Sequence, residues 1–266
     1  MTSVLESRDG SYSQSLERGL AILSAFRSGR PMLGVTELAR EVGLSRSTAH
    51  RYVSTLATLG YLHKDAETHK YRLGPRVLDL GFSALNSMEL REVAAPHLRE
   101  LSDQTGYTVN MAVLDGLDIV YVERCRSART GQREIDLNLH VGSRLPAYCT
   151  SLGKVLLAYL PDDERTAALA QIDFARRGPN TLLSENDHSA ELQQVRKDGF
   201  EINNEELAYG LRSIAAPIFG HDGRPAAGVN LAVHRTMVSM KELVADLSSR
   251  LRRAAETISA QLGYRP

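Results

Sequence analysis

The stretch of sequence that decides the fold runs from Glu41 to Leu62 and reads EVGLSRSTAHRYVSTLATLGYL. After Glu41 it contains no acidic residue, although it carries two arginines, a histidine and several hydroxylated side chains. Ser45 occupies the position of a helix N-cap, and Gly60 occupies that of a C-terminal stop. Between them, apolar residues recur at helical spacing. The stretch therefore predicts an amphipathic helix whose polar face is cationic.

A shorter helix is predicted immediately before this one, from Val35 to Val42, and Gly43 ends it. Two helices joined by a short glycine turn match the helix-turn-helix plan, in which the second helix enters the major groove of DNA. That helix must carry donors for guanine edges and must not bring carboxylates against phosphates. The residues that meet these needs are Ser45, Arg46, Ser47, Thr48, His50 and Arg51.

A β hairpin is predicted directly after this helix, with strands at Tyr61–Lys64 and Lys70–Leu73. Such a hairpin is typical of a wing that lies along the DNA backbone or in the minor groove. We expect base or phosphate contacts from Arg46 and Arg51, phosphate contacts from Ser47 and Thr48, and wing contacts from Lys64 and Lys70. A helix with two arginines is more often only a solvated surface. Here the cap, the turn, the missing acids and the hairpin together favour DNA binding.

The composition indicates a globular protein of two domains. The chain has 266 residues, of which 42% are hydrophobic, so each domain can bury a core. Its 32 basic residues balance its 32 acidic ones, but residues 1–85 contain 11 basic and 8 acidic residues. The N-terminal third is thus net positive, which fits a DNA-binding domain on a more acidic body.

The sequence also indicates a reduced, cytoplasmic protein without a metal or cofactor. Its two cysteines, Cys125 and Cys149, lack metal-ligand spacing. The N-terminus shows no basic-then-apolar signal pattern. No apolar run approaches the roughly 18 residues that a membrane span needs.

The predicted elements divide the chain into three parts. A winged helix-turn-helix domain, mainly α with a β wing, covers 13–75, with its first helix capped by Ser15. A linker helix covers 76–88. Residues 89–266 mix hairpin strands, one of them near 134–139, with helices, which predicts an α+β domain with a largely antiparallel sheet.

Several motifs along the chain together resemble the IclR family of bacterial transcription regulators. They are SLERGLAILSAF, VTELAREVGLSRSTAHRYVSTLATLGYL, YRLGPRVLDLG, LPAYCTSLGKVLLAYLP, GLRSIAAPIF and GRPAAGVNLAV. The wording PAYCTSLGKVLLA is most similar to the branch that governs protocatechuate, 4-hydroxybenzoate and β-ketoadipate catabolism. The resemblance implies a GAF-like effector-binding domain at 89–266. It also implies homodimers joined through the DNA-binding part and linker helix, often paired into tetramers, on palindromic sites of double-stranded DNA.

A candidate ligand site precedes the helix predicted to begin near Leu152. Thr150 and Ser151 stand where unpaired backbone N–H groups and the helix dipole favour an anion, so we expect a carboxylate ligand. The resemblance places the effector pocket at Ser151, Leu152, Asn203, Leu211, Ser213 and Asn230. Many relatives have acids near Asn203 and a small hydroxyl at Asn230. The extra amides suit a small aromatic acid or a keto-dicarboxylate.

Each of these residues also has a plain structural interpretation. Ser151 suits a helix cap, Asn203 a turn, Leu211 the core, and Asn230 a satisfied polar position on a strand. The sequence leaves both interpretations open.

Two other functions compete with that of a ligand-responsive DNA-binding regulator. The first is an enzyme, because SLGKV is similar to part of a phosphate loop, but Tyr148 and Val155 stand where that loop requires Gly and Ser or Thr. Cys149 with His140 or His234 would lack an orienting third group. A ligand-independent architectural DNA binder would not need so large a second domain. We therefore expect a transcription regulator and no catalytic residue.

Overall fold

The structure is a computed structural model that describes residues 12–27, 29–126 and 137–265. It divides into two compact units, one ending at Ser87 and one beginning at Met88. The elements of the first unit are α1 (Gln14–Ser24), α2 (Val35–Glu41), α3 (Arg46–Thr58), β1 (Leu62–Lys64), β2 (Tyr71–Leu73) and α4 (Arg76–Asn86). β1 and β2 pair as an antiparallel hairpin directly after α3.

A small apolar core holds α3 in place in the first unit. Ile22 of α1, Leu38 of α2 and Val53 of α3 are fully buried in one cluster. The hairpin closes this core because Leu62 of β1 and Tyr71 of β2 are buried in the same cluster. At Gly74 a side chain would stand 2.3 Å from the backbone oxygen of Gly60, so only glycine fits there. The polar face of α3 is thereby left outside.

The second unit combines helices with one six-stranded sheet. Its helices are α5 (Glu89–Thr105), α6 (Ser151–Ala158), α7 (Asp162–Gln171), α8 (Glu185–Asp198), α9 (Met240–Glu242) and α10 (Ser248–Gln261). Its strands are β3 (Thr108–Asp115), β4 (Asp118–Cys125), β5 (Arg144–Pro146), β6 (Glu201–Asn204), β7 (Leu211–Phe219) and β8 (Pro225–His234). The strand order is β5-β4-β3-β8-β7-β6, and every neighbouring pair is antiparallel.

Helix α6 forms the centre of this unit because every one of its residues is buried. Thr150 caps it, with its hydroxyl accepting a hydrogen bond from the Gly153 amide at 3.1 Å. A side chain at Gly153 would lie 2.2 Å from the backbone oxygen of Ala147. The glycine therefore lets α6 approach the preceding turn closely, and the N-terminus of α6 is fixed against the sheet.

Three local predictions were wrong. The first helix is capped by Ser13, not Ser15. Of the strand predicted near 134–139, residues 134–136 lie outside the described residues and Leu137–Leu139 are irregular; the strand that pairs with β4 is Arg144–Pro146. A single terminal helix is predicted from about Val238 to Leu262, but a π-helical turn at Leu243–Leu247 interrupts it.

The predicted fold class is confirmed, with a winged helix-turn-helix followed by an α+β unit built on an antiparallel sheet. A tight turn from Asp115 to Asp118 joins β3 and β4. Within the described ranges, no helix is both long enough and apolar enough to pass through a membrane.

Candidate functional site

The polar face of α3 is presented to solvent by its N-cap and its core contacts. The Ser45 hydroxyl accepts a hydrogen bond from the Thr48 amide at 3.2 Å, which starts the helix. Ala49 is fully buried on the opposite face. The predicted contact residues Arg46, Ser47, His50 and Arg51 are exposed, and Thr48 is half-buried. At the tip of the helix, the Ser45 hydroxyl lies 3.1 Å from that of Ser47 and 2.8 Å from that of Thr48.

Among the described residues, no carboxylate neutralises the arginines of this face. Within residues 12–27, 29–126 and 137–265, neither Arg46 nor Arg51 forms an ion pair. Glu41, the one acid of the opening stretch, is held by Arg30 at 3.0 Å and by Arg27 at 3.6 Å. The helix tip therefore offers guanidinium and hydroxyl donors, which is the chemistry that reads base edges and phosphates.

The wing is less cationic than its lysines suggest. Lys64 on β1 is exposed. Lys70, however, lies 3.5 Å from the Glu37 carboxylate on α2. The hairpin tip contains Asp65, whose carboxylate accepts hydrogen bonds from both the amide and the hydroxyl of Thr68. Lys64 is thus the better placed of the two wing lysines to meet a phosphate.

A cavity open to solvent lies between the sheet and the N-terminus of α6, and its empty space, counted together with the solvent at its mouth, is about 680 Å³. Its polar lining includes Thr108, Asn110, Tyr121, Arg124, Thr150, Ser151, Asn203, Ser213, Asn230 and His234. Its apolar lining includes Leu137, Leu139, Leu207, Leu211 and Met237. Among the described lining residues, Arg124 is the one side chain with a permanent charge, and none is a carboxylate. The cavity therefore favours a small anion with an apolar body.

The structure brings five of the six predicted effector residues to this cavity: Ser151, Asn203, Leu211, Ser213 and Asn230. Leu152 is not among the lining residues. Leu152 is fully buried in the core. Its Cδ2 atom packs close to Gly228, because a side chain added at position 228 would lie 3.1 Å from that atom. Because Leu152 faces the sheet rather than the cavity, it supports the site from behind.

Two serines mark the α6 end of the cavity. The hydroxyls of Ser151 and Ser213 are 2.7 Å apart and both residues are buried. Ser151 is the first residue of α6, so its backbone N–H has no acceptor within the helix. The two hydroxyls, the Ser151 amide and the positive end of the helix dipole together favour an anion at this terminus.

Asn203 acts mainly as a structural clamp. Its side-chain nitrogen donates to the backbone oxygen of Cys149 at 2.9 Å. Its side-chain oxygen accepts from the Glu206 amide at 3.2 Å. Since both ends of the amide are bound to backbone, Asn203 holds the turn after β6 against the start of α6. This supports the turn interpretation of the residue.

A polar chain on the cavity wall was missed from the sequence. Arg124 on β4 donates to the side-chain oxygen of Asn110 on β3 at 2.8 Å. Asn110 in turn donates to the side-chain oxygen of Asn230 on β8 at 2.8 Å. Asn110 and Asn230 are register partners in the sheet. The signal available in the sequence was an asparagine inside an otherwise apolar strand, at Asn110 and at Asn230.

Behind the cavity lies a buried cluster of charges that the sequence did not reveal. Lys154 of α6 is fully buried, and its Nζ lies 2.6 Å from Glu206 and 3.1 Å from Glu201. Glu191, which is partly exposed, is 3.6 Å away. Burial raises the pKa of Glu201 to about 8, although the Lys154 charge opposes this shift. The cluster joins α6 to β6 and to the turn that follows it.

The geometry does not support catalysis at Cys149. The thiol is fully buried, and burial raises its pKa to about 11, which disfavours the nucleophilic thiolate. Its sulfur contacts the Pro146 backbone oxygen at 3.8 Å, and no histidine within the described ranges hydrogen-bonds to it. Glu205 and Glu206 diverge, toward Arg235 and Lys154 respectively.

Two family models match most of the chain. The model of the IclR helix-turn-helix domain matches residues 15–66, and that of the bacterial transcriptional regulator IclR C-terminal domain matches residues 82–260. The Pca regulon regulatory protein of Pseudomonas putida is 39% identical over 88% of this chain and 79% of its own.

Solved structures of IclR-family proteins are also similar to this chain. An IclR family transcriptional regulator from Brucella abortus matches with a TM-score of 0.81 and 29% identity, over 98% of this chain and 96% of its own. An IclR homolog from Microbacterium hydrocarbonoxydans, complexed with 4-hydroxybenzoate, matches with a TM-score of 0.79 and 25% identity, over 93% and 98%. The matched models and proteins are transcription regulators, so the enzyme alternative is wrong. With a helix-turn-helix in the first unit, a polar cavity in the second and family models matching each unit, this chain belongs to the IclR family of bacterial transcription regulators.

Proposed function

We propose that this regulator binds a palindromic operator as a homodimer and responds to a small carboxylate effector from aromatic acid catabolism. The observation that carries the proposal is the cavity, which combines Arg124, the α6 terminus and an apolar lining, with no carboxylate among the described residues that line it. Two relatives support the pathway: the regulator of the Pca regulon and the IclR homolog complexed with 4-hydroxybenzoate.

The dimer is supported by exposed apolar side chains in the first unit. Helix α4 has no buried residue, and Leu78, Leu80 and Phe82 are each more than half exposed. Leu16 and Leu20 of α1 are exposed as well. Apolar patches of this kind mark contact surfaces. A second copy on α4, the helix predicted as the linker, would give the dimer two recognition helices for successive major grooves, about 34 Å apart. Two such dimers would form the tetramer.

Arg46→Ala is expected to weaken operator binding by about 1–3 kcal/mol if Arg46 reads a base edge. The loss should come with little change in the salt dependence of affinity, because a base contact releases no phosphate counterion. Fluorescence anisotropy with the upstream intergenic duplex at several salt concentrations measures both quantities. Arg253→Ala, an exposed arginine on α10, removes the same charge from the other unit and should leave affinity unchanged.

The half-site requirement is tested with the same assay. A duplex that keeps one half of the palindrome should bind much more weakly than the intact site, since only one recognition helix then finds its bases. Equal affinity for the two duplexes, or an Arg46→Ala protein that binds as tightly as the wild type at low salt, would contradict the proposed mode of DNA binding.

The effector carboxylate is proposed to bind at the α6 terminus, against Ser151 and Ser213. The two hydroxyls and the free amides of the first helical turn are donors for its oxygens. Binding there changes DNA affinity only if the effector prefers one arrangement of the dimer. By linkage, the operator must then change effector affinity by the same factor.

Arg124→Gln should weaken binding of anionic effectors by roughly tenfold or more, because hydrogen bonds to charged groups are worth about 1.5–3 kcal/mol. Calorimetry with 4-hydroxybenzoate, protocatechuate and β-ketoadipate measures this loss. The matched control is Arg144→Gln: Arg144 lies on β5 of the same sheet, pairs with Asp115 and is not among the lining residues.

The neutral analogue 4-hydroxybenzamide separates charge from shape. It should bind the wild type weakly and should not distinguish Arg124→Gln from it. If none of the three acids binds, while a neutral metabolite alters operator affinity, the proposed effector class is wrong.

A further inference from the structure

Two buried asparagines and an arginine form a row across three strands of the sheet. Arg124 on β4 is the register partner of Asn110 on β3, which is in turn the register partner of Asn230 on β8. Register partners stand on the same face of a sheet, and all three side chains line the cavity. Asn110 is 1% exposed and Asn230 is 5% exposed. Burying an amide is unfavourable unless it is hydrogen-bonded, so the bonds of this row decide how both amides are oriented.

The hydrogen bonds of the row run in one direction because a guanidinium has donors only. The Nη1 atom of Arg124 donates to the side-chain oxygen of Asn110 at 2.8 Å, so the nitrogen of Asn110 faces the other way. That nitrogen donates to the side-chain oxygen of Asn230 at 2.8 Å. Turning either amide over would set two donors or two acceptors against each other. The oxygen of Asn230 is thereby engaged, and its nitrogen is the end that it offers to the cavity.

This fixed donor lies one step along the strands from the serines at the α6 terminus. Asn230 pairs with Ala215 on β7, and Ser213 lies two residues before Ala215 on the same face. Diagonal neighbours of this kind are about 7–8 Å apart. The Ser213 hydroxyl is 2.7 Å from that of Ser151. A small molecule whose carboxylate meets the two serines can therefore place a second polar group against Asn230.

We infer that Asn110, held by Arg124, is a positioning residue that fixes the Asn230 amide with its N–H groups toward the effector. Asn230 thereby determines specificity, because it requires a hydrogen-bond acceptor on the ligand in addition to the carboxylate. The inference rests on the proposed function, since it presupposes an anionic effector in this cavity. The ligand class it names is a carboxylic acid with a carbonyl or hydroxyl oxygen. A group that only donates is rejected at this place, because it would meet another donor.

Asn110→Asp reverses the row and tests the inference. The aspartate still accepts from Arg124, but its second oxygen can only accept, so the Asn230 amide must turn over and present its oxygen to the cavity. Calorimetry on the full-length protein compares three benzoates of equal charge. The substituent of 4-formylbenzoate only accepts, that of 4-aminobenzoate mainly donates, and that of 4-hydroxybenzoate does either.

The wild type should bind 4-formylbenzoate roughly tenfold or more tightly than 4-aminobenzoate, and Asn110→Asp should reverse that order. Both proteins should bind 4-hydroxybenzoate as well as they bind their preferred ligand. Because the three acids carry the same charge, the added carboxylate weakens all of them alike. For a dicarboxylate effector the matched pair is β-ketoadipate and 3-hydroxyadipate. The wild type should accept both, whereas Asn110→Asp should prefer the hydroxyl compound.

Asn204→Asp is the matched control. Asn204 on β6 also accepts a hydrogen bond from an arginine, Arg212, at 2.8 Å, and it is not among the described residues that line the cavity. The substitution adds the same charge to the same unit without touching the row. It should leave the order of the ligands unchanged.

The urea midpoint without ligand tests the row independently of any effector. Asn110→Leu should lower it, since Arg124 loses an acceptor and the buried oxygen of Asn230 loses a donor. A midpoint that stays or rises, or an Asn110→Asp protein that keeps the wild-type order of ligands, overturns the inference alone. If the wild type binds none of the five acids, the proposed effector class is wrong, and the inferred specificity falls with it even where the midpoint is lowered.

Discussion

Lys154→Met is expected to lower the free energy of unfolding by about 3–5 kcal/mol, the usual cost of removing one partner from a buried ion pair. Lys154 is fully buried against Glu201 and Glu206, at 3.1 and 2.6 Å. Without the ammonium, Glu206 would lose the cation 2.6 Å away, and the buried Glu201 carboxyl group would lose its hydrogen-bond donor. Methionine keeps most of the side-chain volume, so the loss would report charge rather than a cavity.

Urea denaturation of the full chain, followed by circular dichroism, measures this effect. Lys197→Met, on the exposed surface of α8, is the control and should change stability by less than about 0.5 kcal/mol. The triple variant Lys154→Met/Glu201→Gln/Glu206→Gln should recover much of the loss, because it leaves no unpaired charge in the cluster. A single Lys154→Met protein as stable as the wild type would mean that the cluster contributes nothing to the fold.

Glu201→Gln should flatten the dependence of stability on pH. Burial raises the pKa of Glu201 from 4.5 to about 8, with Lys154 opposing and with Glu191 and Glu206 adding to the shift. The folded state thus holds this proton more tightly than the unfolded state. Its stabilising contribution is complete below pH 4.5 and is lost as the pH rises toward 8. Within that window the slope approaches about 1.4 kcal/mol per pH unit.

The comparison is made by urea denaturation at pH 5, 6, 7 and 8. Glutamine cannot release a proton, so Glu201→Gln should match the wild type near pH 5 and exceed it near pH 8. The control is Glu191→Gln, since this carboxylate is 40% exposed and 3.6 Å from Lys154 and should leave the slope almost intact. Parallel pH profiles for Glu201→Gln and the wild type would show that Glu201 titrates normally.

The elements of the DNA-reading unit could be predicted because their signals are local. A helix cap acts over three residues, as Ser45 and Thr48 show. Helical spacing assigned the buried face of α3, where Ala49 and Val53 are fully buried. The lack of acidic residues in the sequence of α3 indicated that its outer face is cationic. None of these arguments needs to know where the rest of the chain lies. The charge of the wing was harder to predict, because the ion pair between Lys70 and Glu37 depends on how the hairpin packs against α2.

The effector cavity was predicted only in part. Ser151 could be placed from the helix start that follows it, and the family resemblance supplied Asn203, Ser213 and Asn230. Arg124 and Tyr121 were missed, since the sequence of a strand does not show which other elements will pack against its side chains. Leu152 was expected in the pocket but faces the core, because consecutive side chains of a helix such as α6 point in different directions.

The sequence by itself determined the kind of protein: two units, a cationic recognition helix and a family whose members regulate transcription. Tertiary structure alone decided the chemistry of the second unit. The hydrogen bond from Asn110 to Asn230 joins residues 120 positions apart, and those from Lys154 to Glu201 and Glu206 span 47 and 52 positions. Caps and periodicity act within one helical turn, whereas these contacts exist only after the antiparallel sheet has brought distant strands side by side.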